Sequence, residues 1–167
     1  MMKTKLLKNL SLIATLAVVL ITAVVGYYVV GLKKAPYPVA NFESFSFKWG
    51  SDGRLENSYS SATGDYFYLN NSDSLIKTNV KLRANEIIYI HNKINELGFW
   101  KLQNQIGMQK PSSKAPFYEL QFNYKEKSKK IMVYSDFDEN HQLLDSAMQI
   151  MTMVQRAIDE AEGRYRR

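Results

Sequence analysis

The hydrophobic rhythm of the chain changes twice. From Leu10 to Leu32, "LSLIATLAVVLITAVVGYYVVGL", it is apolar, and no charge falls between Lys8 and Lys33. Such a run predicts a helix of roughly 35 Å at about 1.5 Å per residue, enough for a hydrocarbon core of about 30 Å. A signal-peptide core is shorter, about 7–15 residues, and ends at a small-x-small site. Here Ile21-Thr22-Ala23 and Val24-Val25-Gly26 each leave more apolar chain beyond a cut. The expectation is a retained signal-anchor helix over 10–32, with Tyr27 and Tyr28 at its outer end. Lys3, Lys5 and Lys8 precede it and Lys33 and Lys34 follow, so the positive-inside bias puts residues 1–9 in the cytoplasm.

After a stiff linker, "KKAPYPVAN" (33–41), the period drops to two. Phe45, Phe47 and Trp49 alternate with Ser44, Ser46 and Lys48, as in a half-buried strand. "GSDG" (50–53), "ATG" (62–64) and "NSDS" (71–74) are turn signals between "RLENSYS", "DYFYLN" and "LIKTNVKL", so four strands form an antiparallel meander. In the last, Ile76, Thr78, Val80 and Leu82 share a face.

The second change is to helical spacing. Ile87, Ile90, Ile94 and Leu97 form one stripe of an amphipathic helix, stopped by Gly98. Phe99 and Trp100 then return to the core, and a polar loop with two prolines fills 102–116. "FYELQFNY" and "KIMVY" flank "KEKSK" as a second hairpin. Leu144, Ala147, Met151, Val154 and Ile158 mark a last helix, with Asp136 and Glu139 placed to cap it. The expected order is ββββ-α-ββ-α, an α+β domain over 42–165 with an antiparallel sheet and helices on one face.

Composition alters this picture at two points. The net charge is +6, but the first 34 residues hold five of the 22 basic side chains and no acid. The remainder is nearly balanced, which removes the main support for a nucleic-acid partner. The chain has no cysteine. Disulfides, thiolate metal sites, a cysteine nucleophile and a lipidated N-terminal cysteine are all excluded.

Candidate chemistry is sparse. His91 borders the helical stripe and reads as a packed histidine. His141 and Asp145 are one turn apart, yet Ser135 and Ser146 sit in no nucleophile elbow. "DFDEN" (136–140) starts like a calcium loop, but His141 stands where glycine is required and Ala147 where the bidentate acid belongs. Asp52, Glu56 and Asp65 lie near turns of the first sheet and supply a carboxylate pair only if they meet across a cleft. No cofactor or metal is expected. The aromatic residues are more telling. Trp49, Tyr59, Tyr66 and Tyr68 fall on adjoining strands, and whatever the core does not absorb becomes a binding face. Lys125, Lys127, Lys129 and Lys130, at the tip "KEKSKK" (125–130), are candidates for contact with an anionic surface.

With "FSFKWGSDGRLENSYSSATGDYFYLN", "NELGFW" and "AEGRY", the chain resembles small extracytoplasmic bacterial proteins of the hypothetical-lipoprotein kind, typical of Bacteroidota. The resemblance covers residues 42–165. It implies strands, a helix ending in Gly-Phe-Trp, a hairpin and a last helix, and brings no activity. The missing N-terminal cysteine departs from the lipoprotein pattern. The expectation is a membrane-anchored, extracytoplasmic, non-catalytic binding or assembly module. Its helix would lie in the cytoplasmic (inner) membrane as a single pass and its C-terminal domain in the periplasm or cell exterior. Its partner would be a protein or an envelope component. The alternatives are a carboxylate-dependent envelope hydrolase and an accessory subunit of a membrane complex, whose span would pack through Ala14, Ala17, Ala23 and Gly26.

Overall fold

The computed structural model describes residues 2–33, 36–108, 110 and 113–165, and in the first helix it describes the side chains of 12–27. The chain falls into two units, Met1–Lys34 and Ala35–Arg167.

The first unit is a helix, α1 (Met2–Lys33), whose described side chains are exposed. The expected transmembrane span is not found: among the described residues no helix is long and apolar enough to cross a membrane. The signal-anchor reading of 10–32 is corrected accordingly. The single-pass inner-membrane placement, with the domain in the periplasm or cell exterior, is withdrawn with it. The flanking Lys3, Lys5, Lys8, Lys33 and Lys34, on which orientation depended, lie outside the described side chains, as does Pro111 of the polar loop.

The second unit is α+β. Its elements are β1 (Phe42–Ser51), β2 (Arg54–Ser60), β3 (Asp65–Leu69), β4 (Leu75–Asn79), α2 (Ala84–Glu96), β5 (Gln105–Ile106), β6 (Phe117–Tyr124), β7 (Ser128–Tyr134) and α3 (His141–Gly163). They make one seven-stranded sheet in the order β4-β3-β2-β1-β6-β7-β5. Two expectations are corrected here. The order is ββββ-α-βββ-α, because β5 intervenes, and the sheet is mixed, because β5 pairs parallel to β7. The reason is local: Ile106 is buried, and one buried side chain in a two-residue strand leaves no alternation to detect.

The sheet is joined at its centre by β1 and β6, with Phe45 opposite Phe122 and Phe47 opposite Leu120. On this face Phe45, Phe47, Tyr59, Leu120, Phe122, Ile131 and Val133 are buried in one core with Ile90 and Ile94 of α2 and Ile150, Met151, Val154 and Ile158 of α3. Each such side chain stabilises by roughly 1.5–3 kcal/mol of burial. The other face is mixed: Phe117 stacks there on Tyr134, and charged side chains pair beside them. There Glu119 takes Lys48 at 3.4 Å and Lys130 at 3.3 Å. Period two makes this division, since successive side chains point to opposite faces.

The helix ends are set by local chemistry. Gly98, at φ 75°, turns the chain out of α2 in a left-handed conformation, and Phe99 drops fully into the core. Asn140 caps α3, its Oδ1 accepting from Leu143 N at 3.0 Å. Asp136 and Glu139 do not take that place; Asp136 instead offers its backbone carbonyl to Lys110 Nζ at 2.9 Å.

Candidate functional site

A cleft of about 680 Å³ opens where β2, β3 and β4 meet the last turns of α3. The strand side is built by register. Trp49 faces Asn57, Tyr59 faces Tyr66, and Tyr68 faces Ile76, so alternate residues of four neighbouring strands present one aromatic wall. The Trp49 and Tyr66 rings lie 6.0 Å apart, and those of Tyr66 and Tyr68 4.8 Å. The β2–β3 ladder is short, and Asn57 bridges across β2 near where it lapses: its Nδ2 donates to Trp49 O at 3.1 Å, and its Oδ1 accepts from Leu69 N at 2.9 Å. Asn70 shapes the rim by accepting from Ser72 N and Ser74 N at 2.9 and 3.0 Å.

The helix side is polar. Gln155, Asp159 and Glu162 recur at four- and three-residue steps, one stripe of α3 beside the buried Val154, Ile158 and Ala161. Tyr66 Oη donates to Asp159 Oδ1 at 2.9 Å, and Tyr68 Oη donates to Glu162 Oε1 at 2.7 Å. Gln155 Nε2 also donates to Asp159 Oδ1, at 3.1 Å. Burial, and then the Asp159 carboxylate, push the Tyr66 phenol well above its usual range, so it remains a neutral donor. The described residues lining the cleft include two carboxylates and no basic side chain. Such a site offers flat apolar surface, hydrogen-bonding amides and negative charge side by side.

Of the four aromatic residues proposed from sequence, Trp49, Tyr66 and Tyr68 line this cleft. Tyr59 does not: it is 1% exposed, and its hydroxyl donates to Val80 O at 3.0 Å. The helix residues Gln155, Asp159 and Glu162 escaped sequence reasoning. Their one signal is the polar stripe at helical spacing, and nothing local says which strands it meets.

The lysines of the hairpin tip separate. Lys125 and Lys127 are exposed. Lys130 is tied to Glu119 on the mixed face. Lys129 points the other way, donating to Trp100 O at 2.9 Å and Leu102 O at 2.5 Å, with the Phe99 ring 5.8 Å away. Burial, then Lys127, push its ammonium below the ordinary value. Its role is to hold the turn after α2.

The acids near the first sheet do not converge. Asp52 occupies the turn after β1, with φ 52°, and Asp65 starts β3 at the opposite end of β2. Glu56 sits on the mixed face, 3.5 Å from Arg54. His91 is buried, its Nδ1 2.6 Å from Tyr124 Oη, whereas His141 and Asp145 are exposed on the first turns of α3. Among the described residues, no group of three or more His, Cys, Asp or Glu side chains is placed to hold a metal. A second cavity, of about 400 Å³, lies beside Lys110, Asp136, Asp138 and Asn140.

Compared with known proteins, the chain matches no family model and no curated protein. The geometry of the cleft therefore carries the functional reading.

Proposed function

We propose that the protein is a binding module that receives its ligand, unconverted, in the cleft between the aromatic wall and the polar stripe of α3. The observation that supports this is the convergence of Trp49 and Tyr68 with Asp159 and Glu162 on a cavity of about 680 Å³, within the roughly 300–1,000 Å³ usual for ligand sites. An aromatic wall gives contact area, and a few placed polar groups give orientation. Other aromatic residues of the sheet, Phe45, Phe47, Tyr59 and Phe122 among them, are spent on the core. The test is a titration of the full-length, ¹⁵N-labelled chain with small cationic, neutral-sugar and carboxylate probes, followed by amide and indole NMR shifts. Shifts that cluster at Trp49, Leu69, Asn71 and Gln155 are expected. Shifts confined to other surfaces, or none with any probe, would overturn the proposal.

A further inference from the structure

We propose that the ligand of this cleft is a neutral oligosaccharide, a chain of pyranose rings with equatorial hydroxyls; this deepens the binding reading above and rests on it. The ring surfaces are the first support. The Tyr66 ring, 3% exposed, packs 6.0 Å from that of Trp49 and 4.8 Å from that of Tyr68. Trp49 and Tyr68 are only partly buried and both line the cleft, so it receives one ring platform from β1 and another from β3. Tilts of 43° and 39° between these rings bend the wall along its length. A pyranose with equatorial hydroxyls has flat C–H faces that lie on an aromatic ring, and a chain of them follows a bent wall one ring at a time. The Tyr66 and Tyr68 hydroxyls donate to Asp159 and Glu162, which fixes the rings before a ligand arrives.

The polar groups of the lining supply the second support, because they are of both kinds. The Trp49 indole and the Asn71 amide bring N–H donors. Gln155 and Asp159 bring acceptors: the hydrogen bonds of Gln155 run from Nε2 and those of Asp159 fall on Oδ1, so Gln155 Oε1 and Asp159 Oδ2 keep their acceptor positions. A hydroxyl answers either kind, since it both donates and accepts. An ammonium or guanidinium only donates and cannot match the indole and amide N–H groups; a carboxylate only accepts and cannot match Asp159. An extended peptide donates and accepts through its backbone, but it has no flat C–H face to lay on the rings.

The probes are glucose, cellobiose and cellotriose, with N-acetyl-arginine amide and N-acetyl-trialanine amide as the charged and peptide comparisons, each titrated into the full-length, ¹⁵N-labelled chain. Cellotriose should move the Trp49 indole and the Gln155 side-chain amide with a Kd of about 1 mM or tighter. Glucose, which covers a single platform, should bind at least about tenfold more weakly, with cellobiose between the two. Asn71→Ala and Asp159→Asn should each weaken cellotriose about threefold to tenfold. Asn71 is exposed, so its replacement tests the contact without touching the core. The chain-length series uses the wild-type chain and decides the matter even if Asp159→Asn folds poorly. Equal binding of glucose and cellotriose, a cellotriose Kd that neither variant changes, or cleft shifts with the arginine or peptide probe and none with the sugars would overturn the oligosaccharide and leave the binding module standing. If no probe moves the cleft, both fall.

Discussion

Replacing Glu86 with alanine removes two contacts at once. Its Oε2 accepts from Arg83 N at 2.8 Å, the reach-back bond that closes the start of α2. The same carboxylate receives both arms of the Arg164 guanidinium just past the end of α3, Nη1 on Oε1 and Nη2 on Oε2, the latter at 3.0 Å. The reach-back bond stabilises by about 1 kcal/mol. The forked pair is charge-assisted, but its side chains are 20% and 27% exposed, so after solvent screening about 1 kcal/mol is assigned to it. The combined loss is about 2 kcal/mol. For a unit of about 130 residues, the usual unfolding entropy per residue turns this into a fall of about 7 °C in Tm. Arg164→Met removes only the fork and should cost about half as much. Because the fork is already gone in Glu86→Ala, adding Arg164→Met should cost little more. Calorimetry or circular-dichroism melts of the full-length variants read this directly. A Glu86→Ala shift under about 2 °C, or fully additive losses in the double variant, would refute the assignment.

Two further outcomes follow from single positions. Burial pushes the His91 imidazole below its ordinary 6.5, so as pH falls below 6.5 the unfolded chain takes up a proton that the folded one resists. Urea midpoints should therefore decline from about pH 7.5 to about pH 5; His91→Gln, which keeps a partner for Tyr124 Oη, should flatten the decline, and an unchanged slope would count against it. Gly64 has φ +81°, and a Cβ there would come within 2.9 Å of Asn79 Oδ1. Gly64→Ala should cost roughly 1–3 kcal/mol in urea unfolding, and a variant as stable as wild type would show that this turn relaxes freely.

The strands and helices of the domain were legible where a side-chain period exists. Phe45, Phe47 and Trp49 marked one face of β1, and Ile90 and Ile94 marked the buried stripe of α2. Pairing between distant segments was not legible. Nothing in Phe45 or Phe122 announces that β1 and β6 are neighbours, or that Gln105 and Ile106 add a parallel strand to β7. The same limit divided the cleft. Its strand half followed from alternation, whereas its helix half depends on which turn of α3 the core happens to face. Lys129 shows the converse: its side chain faces the core side of the sheet opposite Phe122, which a count of lysines in a hairpin tip hides. The apolar run near the N-terminus misled in another way, because an uncharged stretch of sequence was read as a membrane crossing that the described residues do not contain.

The central pairing of β1 with β6 also imposes a schedule on synthesis. The ribosome delivers β1–β4 as a finished meander, while β1 still lacks the strand that completes one side of it. At translation rates of about 5–20 residues per second, β6 arrives roughly 4–15 s after β1 is complete. Throughout that interval Phe45 and Phe47 stand beside an open row of backbone donors and acceptors, a template to which another nascent chain can add. For a cell making this protein, the vulnerable species is the half-made chain, and slow translation through residues 80–116 would lengthen its exposure.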